Sequence, residues 1–242
     1  MMPSMIFDSW TMAVKEWREW RFVRSRFGWS FLVILIMAWS LIAALLLSYL
    51  EAGPLIIPIV WAALPFVLSA VMITDSIAGE RERQTLETLL ASRLPDRAFV
   101  LGKIIAVTLF GWGLLLLGML PGLLQQAWAQ AGVFADGHSL AVVGWLVSVS
   151  APSLVLVVLA GALISLYTPS ARFAFLLSIA FAGAMALGAT GLAVWWVAQG
   201  GGNPQSLSTL FAVLTLSITI VDACLLGWLL LSAHRDRLLA IG

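Results

Sequence analysis

Residues 29–50 contain no Asp, Glu, Lys or Arg, and this apolar run limits what the chain can fold into more than any other feature. About 20 apolar residues of α-helix cross the hydrocarbon layer of a bilayer. Inside that layer only a helix or a closed barrel satisfies every backbone N–H and C=O. Comparable stretches recur at 55–77, 97–124, 140–167, 172–198 and 207–232, so the sequence predicts an all-α integral membrane protein with six transmembrane helices in a single domain over 1–242. With 62% hydrophobic and 10% charged residues and a mean hydropathy of +1.03, a soluble globular domain is excluded. The one cysteine, Cys224, excludes an intramolecular disulfide.

The connectors follow from their turn residues. Glu51-Ala52-Gly53-Pro54 reads as a tight turn between the first two spans. Pro58 and Pro65 remove backbone donors from the second and predict a kink. Gly111, Gly113 and Gly118 predict close helix approach in the third. Residues 125–139, with Asp136 and His138 and no basic side chain, read as an external loop. Pro152 predicts a bend in the fourth span, and Thr168-Pro169-Ser170 ends it.

Ahead of the first span, no signal-peptide pattern is legible. Instead residues 8–27 carry Trp10, Ala13, Val14, Trp17, Trp20, Val23 and Phe27 at steps of three or four, one apolar face of a helix. Lys15, Arg18, Glu19, Arg21, Arg24 and Arg26 fill much of the remainder. Tryptophan on one side and arginine on the other predict an amphipathic helix lying in the membrane interface.

The long charged island between the second and third spans has a pattern of its own. Within 78–96, Leu86, Leu89 and Leu90 recur at helical spacing while Glu82, Arg83 and Glu87 face elsewhere, which predicts a short amphipathic helix with a free face. Gly79-Glu80-Arg81-Glu82, then Thr85-Leu86-Glu87, Leu89-Leu90 and finally Leu101-Gly102-Lys103 resemble the signature between spans two and three of ABC-2 type transporter permeases. The resemblance extends over about thirty residues, and it departs from the family at Gln84, where Gly is usual, and at Arg93, with Pro delayed to Pro95. Asp96 then either caps the third span or lies in its first turn.

In that family the segment is a coupling helix that docks on a separate ATP-binding subunit. The resemblance therefore implies a role in coupling for Gly79, Glu80, Arg81, Glu82, Arg83, Thr85, Leu86, Glu87, Leu89 and Leu90. It further implies two ATPase copies that hold ATP and magnesium, a second permease protomer, export of an unidentified substrate, and a place in a cell membrane, the inner membrane in a prokaryote. It also suggests that residues 190–206, which include Gly200-Gly201-Gly202-Asn203-Pro204, fold as a partly re-entrant external segment.

Charge gives an independent orientation. Five of the basic residues lie in the N-terminal helix, five from Arg81 to Lys103, one at Arg172 and two in the tail at Arg235 and Arg237, accounting for all 13. This bias predicts a multi-pass protein with both termini and the charged island in the cytoplasm, the compartment that holds ATP.

Catalytic chemistry is not legible. There is no Gly-x-x-x-x-Gly-Lys-Ser/Thr loop, and Gly102-Lys103 is followed by Ile104, so nucleotide hydrolysis is expected in a partner and not in this chain. No metal-ligand or nucleophile pattern appears, and nothing points to nucleic acid. One residue stands out in the spans: Asp222 is a carboxylate in mid-helix, a placement costing on the order of 3 kcal/mol. It reads either as part of a substrate or proton path, or as a local hydrogen-bond partner of Thr219 and Thr215. Two other function classes stay open, an ion-gradient-driven secondary transporter and a non-transporting anchor or regulatory subunit.

Overall fold

The computed structural model describes residues 2–23, 34, 37–39, 41, 56–80, 95–129, 138–168, 170–198 and 204–232. Regular structure among them is entirely helical: α1 (Met2–Val23), α2 (Ile56–Thr74), a π-helical turn (Asp75–Gly79), α3 (Asp96–Ala129), α4 (His138–Tyr167), α5 (Ala171–Ala198) and α6 (Pro204–Ser232). Three stretches are long and apolar enough to cross a membrane, Arg97–Leu117, Ser148–Tyr167 and Thr209–Ser232. Ala63–Gly79 and Ala171–Met185 are shorter apolar helices. These are the helices of a membrane protein. The first expected span, 29–50, lies outside the described residues except for five exposed helical positions, Ile34, Met37, Ala38, Trp39 and Leu41. The expected amphipathic helix after Glu80 also lies outside them, as do Asp136 and the tail from His234.

Several boundaries differ from the sequence expectation. α1 starts at Met2, a full turn and more before Asp8, because nothing between Met2 and Asp8 breaks a helix once Pro3 sits in its first turn. The second helix does not stop at Ile77 but continues through the π-helical turn to Glu80. α3 runs on to Ala129 and α4 begins at His138, so both reach into the loop expected at 125–139. Asp96 is the first residue of α3, and Pro95 O receives the N–H groups of Ala98 at 2.8 Å and Phe99 at 3.2 Å. The stretch 190–198 is continuous α5 and 204–206 is the start of α6; residues 199–203 lie outside the described residues. Ser170 caps α5, its Oγ accepting from Phe173 N–H at 3.3 Å and its carbonyl from Ala174 N–H at 3.1 Å.

α2 occupies the middle, packed against α3, α4 and α5, with α1 against α3 and α6 against α4. Lipid offers apolar side chains as good an environment as a protein interior, so helices join in a membrane through close packing and interhelical hydrogen bonds. Both occur here. A Cβ on Gly161 of α4 would stand 2.7 Å from Ile73 Cγ2 of α2, and one on Gly111 of α3 would overlap Ser69 Oγ. Gly113, expected to serve the same purpose, faces open space. Ser69 Oγ donates to Pro65 O at 2.8 Å, just past the proline inside α2. Thr74 Oγ1 donates to Ala70 O at 2.7 Å and lies 3.0 Å from Ser178 Oγ of α5. Around them Ile73, Leu154, Val157, Val158 and Ala162 form the core.

The cross-links also fix which helix ends share a side. The end of α2 meets the start of α3 through Lys103 and Ser76, the start of α5 through Thr74 and Ser178, and the end of α4 through Thr74 and Ser165. Tyr167 Oη, at the end of α4, lies 3.2 Å from Ser232 Oγ, at the end of α6. Arg97 in the first turn of α3 and Arg172 in that of α5 therefore lie at the same end of the bundle as Lys103.

Candidate functional site

At that end the chain buries a lysine. Lys103 is fully enclosed, and its Nζ donates to Glu16 Oε1 of α1 at 2.8 Å and to the Ser76 carbonyl of the π-helical turn at 2.6 Å. The same nitrogen lies 2.9 Å from Glu80 Oε1 and 4.9 Å from the centre of the Phe99 ring. The ammonium thus spends its three protons on three acceptors from two other segments, and the ring face below it is electrostatically favourable. A lone buried ammonium would be prohibitively costly; with this set of partners it is tolerated.

Each partner is delivered by local geometry. The π-helical turn widens the helix by one residue at Asp75–Gly79, a form that recurs where a helix is adapted to a task. Here it presents Ser76 O sideways to Lys103 while Ser76 Oγ donates back to Ile73 O at 3.0 Å. At its last residue, Gly79, a Cβ would lie 2.7 Å from Asp75 Oδ1. Gly102 lets α1 come close: a Cβ on it would stand 2.6 Å from Met12 Cβ and 2.8 Å from Ser9 O. Trp17 adds a bond between the same helices, its indole N–H donating to Ala106 O at 3.3 Å.

α1 consequently has two working faces, where the sequence suggested one. Ser9, Met12, Ala13 and Glu16 are buried, while Phe7, Trp10, Val14 and Trp17 are exposed. Ala13, read as part of the tryptophan face, belongs to the buried one, because Gly102 admits the backbone of α1 on that side. Trp10 and Trp17, at 53% and 50% exposure, keep a broad aromatic surface outward. Trp20 and Arg21 lie within α1 but their side chains are outside the described residues, as is Arg24 altogether.

Of the residues expected to couple to a partner, Gly79 and Glu80 stand at this junction, and Arg81, Glu82, Arg83, Thr85, Leu86, Glu87, Leu89 and Leu90 lie outside the described residues. Burial pushes the Glu80 carboxyl above its usual range, against the pull of Lys103, and the nearby Glu16 pushes the same way as burial. Asp75, read as the residue that ends the second span, is exposed and opens the π-helical turn. Glu16 was not singled out in the sequence, and Lys103 entered only as the close of the family-like motif. Ser9, Met12, Ala13 and Glu16 have the spacing of a second helical stripe, and that spacing was the signal available for Glu16.

Asp222, far along α6, is a separate case. It is buried and its Oδ1 has no hydrogen-bond partner. The threonines expected to serve it do not: Thr219 Oγ1 donates to Thr215 O at 2.7 Å and Thr215 Oγ1 to Phe211 O at 2.8 Å. A helical threonine has a backbone carbonyl one turn back within reach, and here that acceptor takes the hydroxyl proton. Among the described residues no group of three or more His, Cys, Asp or Glu side chains is placed to hold a metal ion. The chain matches no protein-family model and no curated protein.

Proposed function

We propose that the chain is the membrane-spanning subunit of an ABC-2 type transporter, a six-span permease with both termini in the cytoplasm that forms half of a translocation path. The observation that carries this reading is the pairing of Lys103 with Glu80. These residues stand near the two ends of the family-like stretch, so the chain leaves and re-enters the bundle at one tied point, as a helix that receives a partner's motion should. The clustering of Arg97, Lys103 and Arg172 at that end supports a cytoplasmic orientation for it, and the exposed Trp10 and Trp17 support an interfacial position for α1. ATP and magnesium would be held by two copies of a separate ATP-binding subunit, and a second permease protomer would complete the path. Closure of the ATPases would move the coupling segments and, through the junction, the helices.

The test is co-purification with an ATP-binding cassette subunit co-expressed from the same genome, followed by transport and ATPase assays in proteoliposomes. Reversing charge at Glu82 and Glu87 together should leave ATP hydrolysis running while transport falls, since the spans are untouched. Failure to retain an ATPase, or wild-type coupling in the double reversal, argues against the assignment. One observation favours a second reading: the unpartnered carboxylate oxygen of Asp222 is what an ion-gradient-driven carrier places in its path. Gradient-driven uptake by the chain alone in proteoliposomes selects that reading.

A further inference from the structure

At the junction two carboxylates meet one buried ammonium, and the charge of Lys15 also acts on Glu80. Glu16 comes from α1, Glu80 from the end of the π-helical turn, and Lys103 from α3 between them. Because all three donors of Lys103 are taken, a stronger hold on one carboxylate comes at the expense of the other. The carboxylates also repel each other in a poorly solvated place, where such repulsion is weakly screened. From this geometry we infer that Lys103 is a shared clasp for which α1 and the chain following Glu80 compete, so that withdrawing Glu80 tightens the hold on α1 and withdrawing Glu16 tightens the hold on the π-helical turn.

The packing is arranged to let α1 respond. The helix packs along α3, with Ser9 and Met12 against Gly102 and the Trp17 indole on Ala106 O. Phe7, Trp10 and Val14, on the opposite side of α1, are exposed. The turn that carries Ser76 O and leads to Glu80 is the wide π-helical one, a form that can revert to α-helix by shifting a single residue. Thermodynamic linkage then requires the coupling to act equally in both directions. The clasp is a property of this chain by itself and holds whether or not an ATPase is the partner that pulls on residues beyond Glu80.

Hydrogen exchange of the full chain in lipid nanodiscs tests it. Glu80→Gln should slow amide exchange in α1 by about threefold or more, and Glu16→Gln should slow exchange across 75–80 by a similar factor. Lys103→Met should speed exchange at both places. In the Lys103→Met background, Glu80→Gln should lose its slowing effect on α1. Lys103→Met is the variant at risk of not folding, and the two glutamine variants decide the matter without it. A static network predicts the opposite sign, with each glutamine substitution loosening both segments. Faster or unchanged α1 exchange in Glu80→Gln overturns the inference, as does a response at one end without its reciprocal.

Discussion

Two buried charged places in this molecule contrast. At the base of the bundle Lys103 has a carboxylate on α1, another after α2, a backbone carbonyl and an aromatic face. In α6, Asp222 has a carboxylate oxygen with nothing to receive. Both would be costly in an apolar medium, but the first is offset in place and the second is not. A charge with every donor matched holds elements in register, whereas an unmatched one weakens the fold.

The largest effect should come from breaking the matched site. Lys103→Met removes the ammonium that both carboxylates contact and leaves them enclosed, a loss of about 3–5 kcal/mol, readable as a lower denaturant midpoint in detergent. Replacing all three charges, with Glu16→Gln and Glu80→Gln added, should recover most of that loss. Near-wild-type stability of Lys103→Met alone would mean that the ammonium is not enclosed as described, and the contrast with Asp222 would collapse.

Asp222 should behave in the opposite way. Asp222→Leu removes an unsatisfied buried acceptor and should stabilise the chain by about 1–3 kcal/mol, while Asp222→Asn keeps the size and discards the charge. If the residue serves a translocation path, assembly of both variants should stay at or above the wild-type level while transport falls by about tenfold. A loss of stability in Asp222→Leu would reveal a hydrogen-bond donor for the carboxylate and move it into the same class as Lys103.

How much of this was legible in the sequence depends on range. Span positions follow from local composition, and helices appear at five of the six expected places because an apolar run in lipid has no alternative to helix. The buried lysine was quoted as the close of a motif, yet its role depends on Glu16, 87 positions away, and periodicity within one helix does not choose its neighbour. Gly102 and Gly113 look alike as letters, but only Gly102 faces a backbone. The π-helical turn left no local mark in the sequence, and the Ser76 carbonyl that it carries meets a lysine 27 positions away. Conversely, the hydrogen bonds expected from Thr215 and Thr219 to Asp222 had the right spacing and lost to carbonyls one turn back, which every helix supplies.

The smallest effect concerns pH at the matched site, and its sign is opposite to that of an ordinary ion pair. Burial raises the Glu80 carboxyl above 4.5, with Glu16 adding to the rise and Lys103 and Lys15 opposing it. A carboxyl whose folded-state value lies above its unfolded one takes up a proton on folding, so its contribution to stability is complete below 4.5 and is lost as pH rises through the folded-state value. Acidification should therefore preserve or firm the junction, where a conventional exposed carboxylate pair would begin to loosen. The quantity to read is the difference between the wild type and Glu80→Gln. Thermal midpoints of the two proteins should converge as pH falls, because the protonated wild-type carboxyl and the glutamine amide are then both neutral. A gap that widens on acidification would show that Lys103 outweighs burial at Glu80, making the junction an ordinary salt bridge.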